Sequence, residues 1–235
     1  IINLWVSRMV LMSGFHLGQV PFRTVLIHGL VRDKQGRKFS KSLDNGIDPI
    51  DMIDRYGADA LRMGLLVGTA IGSDISFDEN KVKGYKHFTN KLWNIARFIL
   101  ENAVNTADSN VGRSVGRSTS HMVEADREIL SACDALAQDV TKDLEEYRVY
   151  MAAEKLYHYA WHELADKILE ESKPILAGAD VGARASRACL LLILLDRTLR
   201  LLHPFMPFIT EEIYQSMPTK DSEFLMVASW PEPVN

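Results

Sequence analysis

After the polar turn Thr69 to Asp78 the apolar residues recur at helical spacing and keep doing so, and this constrains the fold more than any other feature of the sequence. Phe88, Leu92, Ile95, Ile99 and Ala103 form one stripe at three- and four-residue intervals, with Trp93 and Phe98 to its sides. Further helices are predicted at Val123 to Glu146, Val149 to Ser172, Gly182 to Leu202 and Phe205 to Met217, ended or separated by Pro174, Pro204 and Pro218. Residues 105–120 carry Ser, Gly, Asn and Thr with no apolar period and read as a long, mobile connection. Such a succession folds as an all-α bundle, with Trp93 and Trp161 assigned to its core. Met206-Pro207-Phe208 reads as a kinked helix start that closes it.

Upstream the pattern is different. Thr24-Val25-Leu26-Ile27-His28-Gly29-Leu30-Val31 is β-branched and apolar between polar flanks, the pattern of a buried strand in a parallel sheet. A polar loop follows from Arg32 to Asn45. Asp48 and Pro49 then make an N-cap and first helical position, Ile50 and Ile53 the buried side, and Gly57 a stop. A second, mostly buried helix runs from Ala58 to Val67. Strand, loop and helix belong to an α/β unit whose first strands lie elsewhere, so the chain reads as a piece of something longer. Its start at Ile1-Ile2-Asn3, with no basic region ahead of an apolar one, shows no signal peptide. The expected architecture is mostly α: residues 1–77 as the incomplete C-terminal piece of a Rossmann-type α/β domain, and 78–235 as the helical bundle.

Composition narrows the class of function. With 235 residues and 47% hydrophobic content the chain can bury one or two cores, which disfavours intrinsic disorder and fibrous repeats. Cys133 and Cys189 stand 56 positions apart, neither a disulfide framework nor zinc-ligand spacing, so a reducing, cytoplasmic setting and no metal site are expected. The longest apolar run, Ala188 to Leu195, is far short of the roughly 20 residues that span a bilayer. The formal charge of -4 is unevenly distributed. Arg23 to Lys41 carries +5, Ser42 to Asn80 carries -6, and Lys81 to Phe98 carries +5 with no acid. Two basic islands in an acidic chain point to two local anion sites, because a nonspecific nucleic-acid coat would be basic over a whole face.

The first island contains Gly36-Arg37-Lys38-Phe39-Ser40-Lys41-Ser42, two ammonium groups three residues apart with hydroxyls between and after them. The lysines offer mobile positive charge, and the serines and loop amides offer hydrogen bonds. On a flexible loop they can close on charge that develops during phosphoryl or nucleotidyl transfer, an electrostatic role with no covalent step. The second island places Lys91, Asn94 and Phe98 on one helix face, at i, i+3 and i+7, with Arg97 at its edge. A lysine, an amide and a ring side by side can bind phosphate, read a base edge and stack an unpaired base.

The stretch Pro21 to Asp33, followed by Gly36 to Leu43 and Ile47-Asp48-Pro49, resembles the second nucleotide-binding signature of class I aminoacyl-tRNA synthetases, most closely in their valyl branch. The family motif is Lys-Met-Ser-Lys-Ser, and Phe39 stands here in place of its Met. An apolar residue there packs under the loop, so the chemistry is expected to survive with altered loop mobility. The resemblance continues through Tyr56 to Arg62, Asp74 to Asp78, Asn90-Lys91-Leu92-Trp93-Asn94, Trp161 to Leu164, His203 to Glu212 and Ser229-Trp230-Pro231. It leaves only the 105–120 linker unmatched. Leucyl and isoleucyl enzymes share this architecture, and a noncatalytic tRNA-binding helical module that keeps a vestigial loop is the reading from another class.

The resemblance implies roles by position. Lys38 and Lys41 would be catalytic, holding the triphosphate of Mg-ATP while the amino-acid carboxylate attacks the α-phosphorus, with Lys41 the main contact. Ser40 and Ser42 would position the loop or bond phosphate. His28, Gly29 and Val31 would lie beside adenine or ribose at the carboxyl end of the strand. Trp5 would line the amino-acid pocket. Lys91, Asn94, Arg97 and Phe98 would contact tRNA, the valine acceptor. His16-Leu17-Gly18-Gln19 is a decoy for the family's His-x-Gly-His motif, because it lacks the second His.

Overall fold

A computed structural model describes residues 1–106 and 122–232; the side chains of Lys41 and of residues 103–106 lie outside that description. Helix α1 (Ser7–Leu17), entered through a wider helical turn at Ile2–Val6, leaves Leu4, Leu11, Met12, Phe15 and Leu17 in solvent. Gly18, at φ 64°, ends it. Strand β1 (Val31–Arg32) pairs in parallel with β2 (Ile75–Ser76), Val31 against Ile75 and Arg32 against Ser76. The expected strand over 24–31 therefore shrinks to its last residue. A strand is only as long as its hydrogen-bonding partner. Here β2, inside the expected turn 69–78, supplies two residues, while Val25, Leu26, Ile27 and Leu30 stay exposed.

Helix α2 (Pro49–Tyr56) starts as expected, with Asp48 Oδ1 accepting from the Ile50 amide at 2.8 Å. Gly57, at φ 89°, joins it to α3 (Ala58–Leu66). The tight junction turns Met52, Ile53 and Tyr56 inward and leaves Ile50, expected on the buried side, in solvent. In α3, Ala60, Leu61 and Met63 are buried. A Cβ on Gly64 would stand 2.9 Å from Val82 Cγ2, so only glycine lets α3 approach the following helix so closely.

That helix, α4 (Glu79–Thr106), is the spine of the molecule. Phe88, Leu92, Ile95 and Ile99 are buried along one side, the stripe read from the sequence. Asn105 and Thr106, expected as linker, continue the helix, and 107–120 of that linker lies outside the described residues. Trp93 is not core: it is 42% exposed, because its place two residues from the centre of the stripe turns it past the packing surface. Trp161 is half-buried, its ring 6.1 Å from that of Phe88.

Helix α5 (Glu124–Glu145) pairs with α6 (Val149–His158). The latter runs on through a wide-turned π segment (Tyr159–Ile168) into α7 (Leu169–Ala177). Pro174, expected to end this helix, lies inside α7. Its missing amide forgoes only the bond to the Glu170 carbonyl, and the helix, packed on α8, ends three residues later. Helix α8 (Val181–Leu202), capped by Asp180 Oδ1 on the Ala183 amide at 3.0 Å, is apolar on nearly every side and forms the centre of the bundle. Helix α9 (Pro207–Gln215) begins two residues later than expected, since Phe205 and Met206 fill the buried turn before Pro207. Asp126 of α5 accepts from Arg187 Nε at 2.8 Å and Ser186 Oγ at 2.5 Å of α8, so this buried charge is fully partnered.

A clasp joins the first part of the chain to the bundle. The Asp59 carboxylate accepts from the amides of Phe208 (3.2 Å) and Ile209 (2.7 Å), closing the N-terminus of α9 from outside the helix. Arg62 donates to the carbonyls of Phe205 (2.9 Å) and Pro204 (2.8 Å). Among the described residues no helix is long and apolar enough to cross a membrane.

Candidate functional site

The basic loop is organised around one carboxylate. Asp33 Oδ1 accepts from the amides of Gln35 (3.0 Å) and Arg37 (2.8 Å), and Oδ2 from Arg37 Nε (2.8 Å) and Asn45 Nδ2 (2.9 Å). These bonds, the Asn45 amide first, hold the Asp33 carboxyl down to about 2. Asn45 also accepts from the Ser40 amide at 2.9 Å through Oδ1 and donates to the Lys38 carbonyl at 3.3 Å. One side chain thus fixes both limbs of the segment that carries the lysines. Ser40 Oγ lies 2.7 Å from Ser42 Oγ and accepts from the Ser42 amide at 3.2 Å. Phe39 is half-buried against the core and, with Ile47 and Phe77, lines a cavity of about 250 Å³ beneath the loop, the packing expected of the apolar motif position.

The charges of the loop divide into two kinds. Arg37 is paired with Asp33, and Lys34 lies 3.9 Å from Asp78. Lys38 is exposed and has no carboxylate partner among the described residues. The side chain of Lys41 lies outside the described residues.

The neighbouring segment 28–32 is tied to this loop. Arg32 donates to the Gly36 carbonyl at 3.2 Å and bridges to Lys38 through the backbone. Arg32 Nε reaches Asp74 Oδ2 at 2.5 Å, and the Leu30 amide reaches Asp74 Oδ1 at 2.8 Å. The Leu30 amide and the Arg32 guanidinium hold the Asp74 carboxyl below the usual range. A Cβ on Gly29 would fall 1.9 Å from the Ser73 carbonyl oxygen, so glycine is required here for close backbone approach. Val31 is half-buried in β1, whereas His28 precedes the strand, exposed, with Nδ1 2.7 Å from the Gly29 carbonyl. Trp5 is 57% exposed, with the Arg8 guanidinium 5.0 Å from its ring centre.

The second basic island lies along α4, with Lys81 half-buried and its Nζ on the Val67 carbonyl. Asn94 and Arg97 are exposed and Phe98 is half-buried against the core. Lys91 does not reach freely into solvent. Its Nζ stands 2.9 Å from Asp166 Oδ1 and 5.5 Å from the Trp161 ring centre, both on the π segment. Asn90, Trp93, Asn94 and Arg97 together make an exposed ridge in which Trp93 is the ring most open to solvent. Sequence reasoning missed Asn45, Asp74 and Asp166. Asn45 and Asp74 fall in polar turns, where an Asn or Asp that wires a loop looks like any turn former. Asp166 acts across helices, which no local spacing reveals.

The comparisons with known proteins agree on a family. Residues 1–78 match the family described as tRNA synthetases class I (I, L, M and V), and 126–235 match the anticodon-binding domain of tRNA ligase. The chain is 46% identical over 232 residues to a valine–tRNA ligase of Geobacillus kaustophilus and 43% identical over 231 residues to one of Bacillus cereus. These alignments cover 99% and 98% of this chain but 26% of each relative, so the chain spans about a quarter of the length of the curated relatives it matches. Among solved structures, LeuRS of Agrobacterium radiobacter K84, in a ternary complex with tRNA and LeuAMS, shares the fold with a TM-score of 0.72 at 24% identity. That match covers 96% of this chain and 27% of the other. A Mycobacterium tuberculosis methionyl-tRNA synthetase in complex with methionyl-adenylate matches with a TM-score of 0.62 at 24% identity, over 79% of this chain and 36% of the other.

Proposed function

The chain belongs to the class I aminoacyl-tRNA synthetases, and from that premise we propose that it is part of a cytoplasmic valine–tRNA ligase. Residues 1–77 are the end of the catalytic domain, and 78–235 are the helical domain that binds the tRNA(Val) anticodon. Valine, Mg-ATP and tRNA are the substrates. A carboxylate oxygen of valine attacks the α-phosphorus, the bond to the β-phosphate breaks, and pyrophosphate leaves with the negative charge. Lys38 and Lys41 hold that charge as it develops on the triphosphate, and fixed cations lower the barrier without any covalent step. Ser40 and Ser42 hydrogen-bond phosphate or position the loop. His28, Gly29 and Val31 lie beside the nucleoside, and Trp5 lines the amino-acid pocket. Lys91, Asn94, Arg97 and Phe98 contact the anticodon loop.

The observation that carries the phosphate reading is the division of charge in the loop. Asp33 is taken up by Arg37, Asn45 and backbone amides, Lys38 is exposed with no carboxylate partner among the described residues, and the Ser40 and Ser42 hydroxyls stand 2.7 Å apart on the same segment. ATP–pyrophosphate exchange tests it. In the full-length protein Lys41→Ala lowers valine activation about 100-fold or more, the effect of losing a transition-state charge contact. Near-normal exchange would remove the lysine from catalysis. The 235-residue chain alone gives no exchange above background, because it contains no His-x-Gly-His motif.

A further inference from the structure

In the π segment the backbone closes i→i+5, a wider turn than the α-helix, which brings residues five apart onto one side. At 3.6 residues per turn they would stand more than a third of a turn apart. Trp161 and Asp166 are five apart, and both face Lys91 of α4: Nζ is 2.9 Å from Asp166 Oδ1 and 5.5 Å from the Trp161 ring centre. The second carboxylate oxygen of Asp166 lies 3.5 Å from His162 Nδ1, and the His162 ring stands 5.6 Å from that of His158. The pair is open to solvent, with the Lys91 and Asp166 side chains 33% and 46% exposed.

A lysine so paired is a poor phosphate ligand, because an incoming phosphate meets the carboxylate that already neutralises the ammonium. It is a good donor. The ammonium has three N–H bonds and spends one on Asp166, while the carboxylate keeps free lone pairs. A donor and an acceptor side by side complement the edge of an unstacked base. A carboxylate accepts from an exocyclic amine and an ammonium donates to a ring nitrogen or carbonyl.

We propose that Asp166 is a specificity-determining residue: with Lys91 it forms a donor–acceptor pair that reads the edge of an RNA base, and Lys91 does not serve as a phosphate contact. The inference rests on the reading that α4 receives the anticodon loop. The π segment supplies this pair by holding Trp161 and Asp166 in one register against α4.

The test is binding of this chain to a valine anticodon hairpin RNA and to the same hairpin with altered anticodon bases, each over a series of salt concentrations. Wild type prefers the valine hairpin by about tenfold or more, the size of one good base-edge contact. Asp166→Asn, with unchanged helicity by circular dichroism, brings the ratio close to one while the altered hairpin binds as well as before or better, since a negative charge has left the surface. Lys91→Ala also loses the ratio and keeps the wild-type salt slope. Discrimination retained in Asp166→Asn, or a slope shallower by about 0.7 in Lys91→Ala, overturns the proposal and makes Lys91 a phosphate contact. A wild type that binds both hairpins equally overturns the anticodon reading beneath it, and the proposal with it.

Discussion

Asn45 illustrates how one neutral side chain can set the geometry of a charged loop. Its amide faces Asp33 and its carbonyl oxygen takes the Ser40 amide, so both limbs of the lysine-bearing segment hang on it. The same contacts fix the sign of a pH effect. The Asp33 carboxyl titrates at about 2 in the fold against an ordinary value near 3.8. Its stabilising bonds are therefore fully present above the unfolded value and are lost as pH falls from about 4 towards 2. A carboxyl NMR titration of Asp33 gives a midpoint near 2 in wild type, rising towards 4 in Asn45→Ala; a wild-type midpoint near 4 would show that the loop is not clamped. Gly29 is equally specific. Gly29→Ala forces the Ser73 backbone away from an atom 1.9 Å distant, at an expected cost of about 1–3 kcal/mol in chemical denaturation. A change below about 0.5 kcal/mol would mean that the segments separate freely.

Among the elements, helices were legible from the sequence where burial alone decides them. Phe88, Leu92, Ile95 and Ile99 mark α4, and Asp48 with Pro49 marks the start of α2. Two kinds of feature were not legible. The strand expected over 24–31 depends on a partner of equal length, and apolar β-branched sequence does not disclose that β2 is two residues long. The site residues at the surface depend on tertiary neighbours: Lys91 was expected to be a free cation and is held by Asp166. Trp93 was expected in the core and faces solvent. The basic segment Gly36 to Ser42 was visible in the sequence because its lysines and serines stand close together, whereas the Asp33 and Asn45 bonds that hold it were not. The clasp between α3 and α9 also escaped, although the stretches Tyr56 to Arg62 and His203 to Glu212 that hold it both carry the family resemblance. Asp59→Ala leaves two first-turn amides of α9 without an acceptor and costs about 1–3 kcal/mol. Burial raises the Asp59 carboxyl, so the protonation-linked part of its contribution runs opposite to that of Asp33: it is fully present below the unfolded value and lost as pH rises through the folded one. Unfolding midpoints of wild type and Asp59→Ala that coincide from pH 4 to 8 would contradict both statements.

Across the whole molecule, the proposed reading has the two basic islands serve two different anions on one frame, the loop a small polyphosphate and α4 a folded RNA. Between them stand α2 and α3, which Gly57 joins and which Asp59 and Arg62 fasten to the α8–α9 turn. If α4 receives RNA as proposed, the acidic balance elsewhere disfavours nonspecific binding, and affinity is expected to depend on the α4 face and to fall with salt only as far as its few cations allow. In the proposed reading this face of α4 reads a valine anticodon. Fluorescence titration of the chain, at one fixed salt concentration, with a valine tRNA transcript and with the same transcript carrying altered anticodon bases tests it most directly. Binding is expected to weaken when the anticodon is changed and to hold when bases are changed in the loop-distal stem. Equal binding to both transcripts would contradict it and leave the α4 face a nonspecific basic surface.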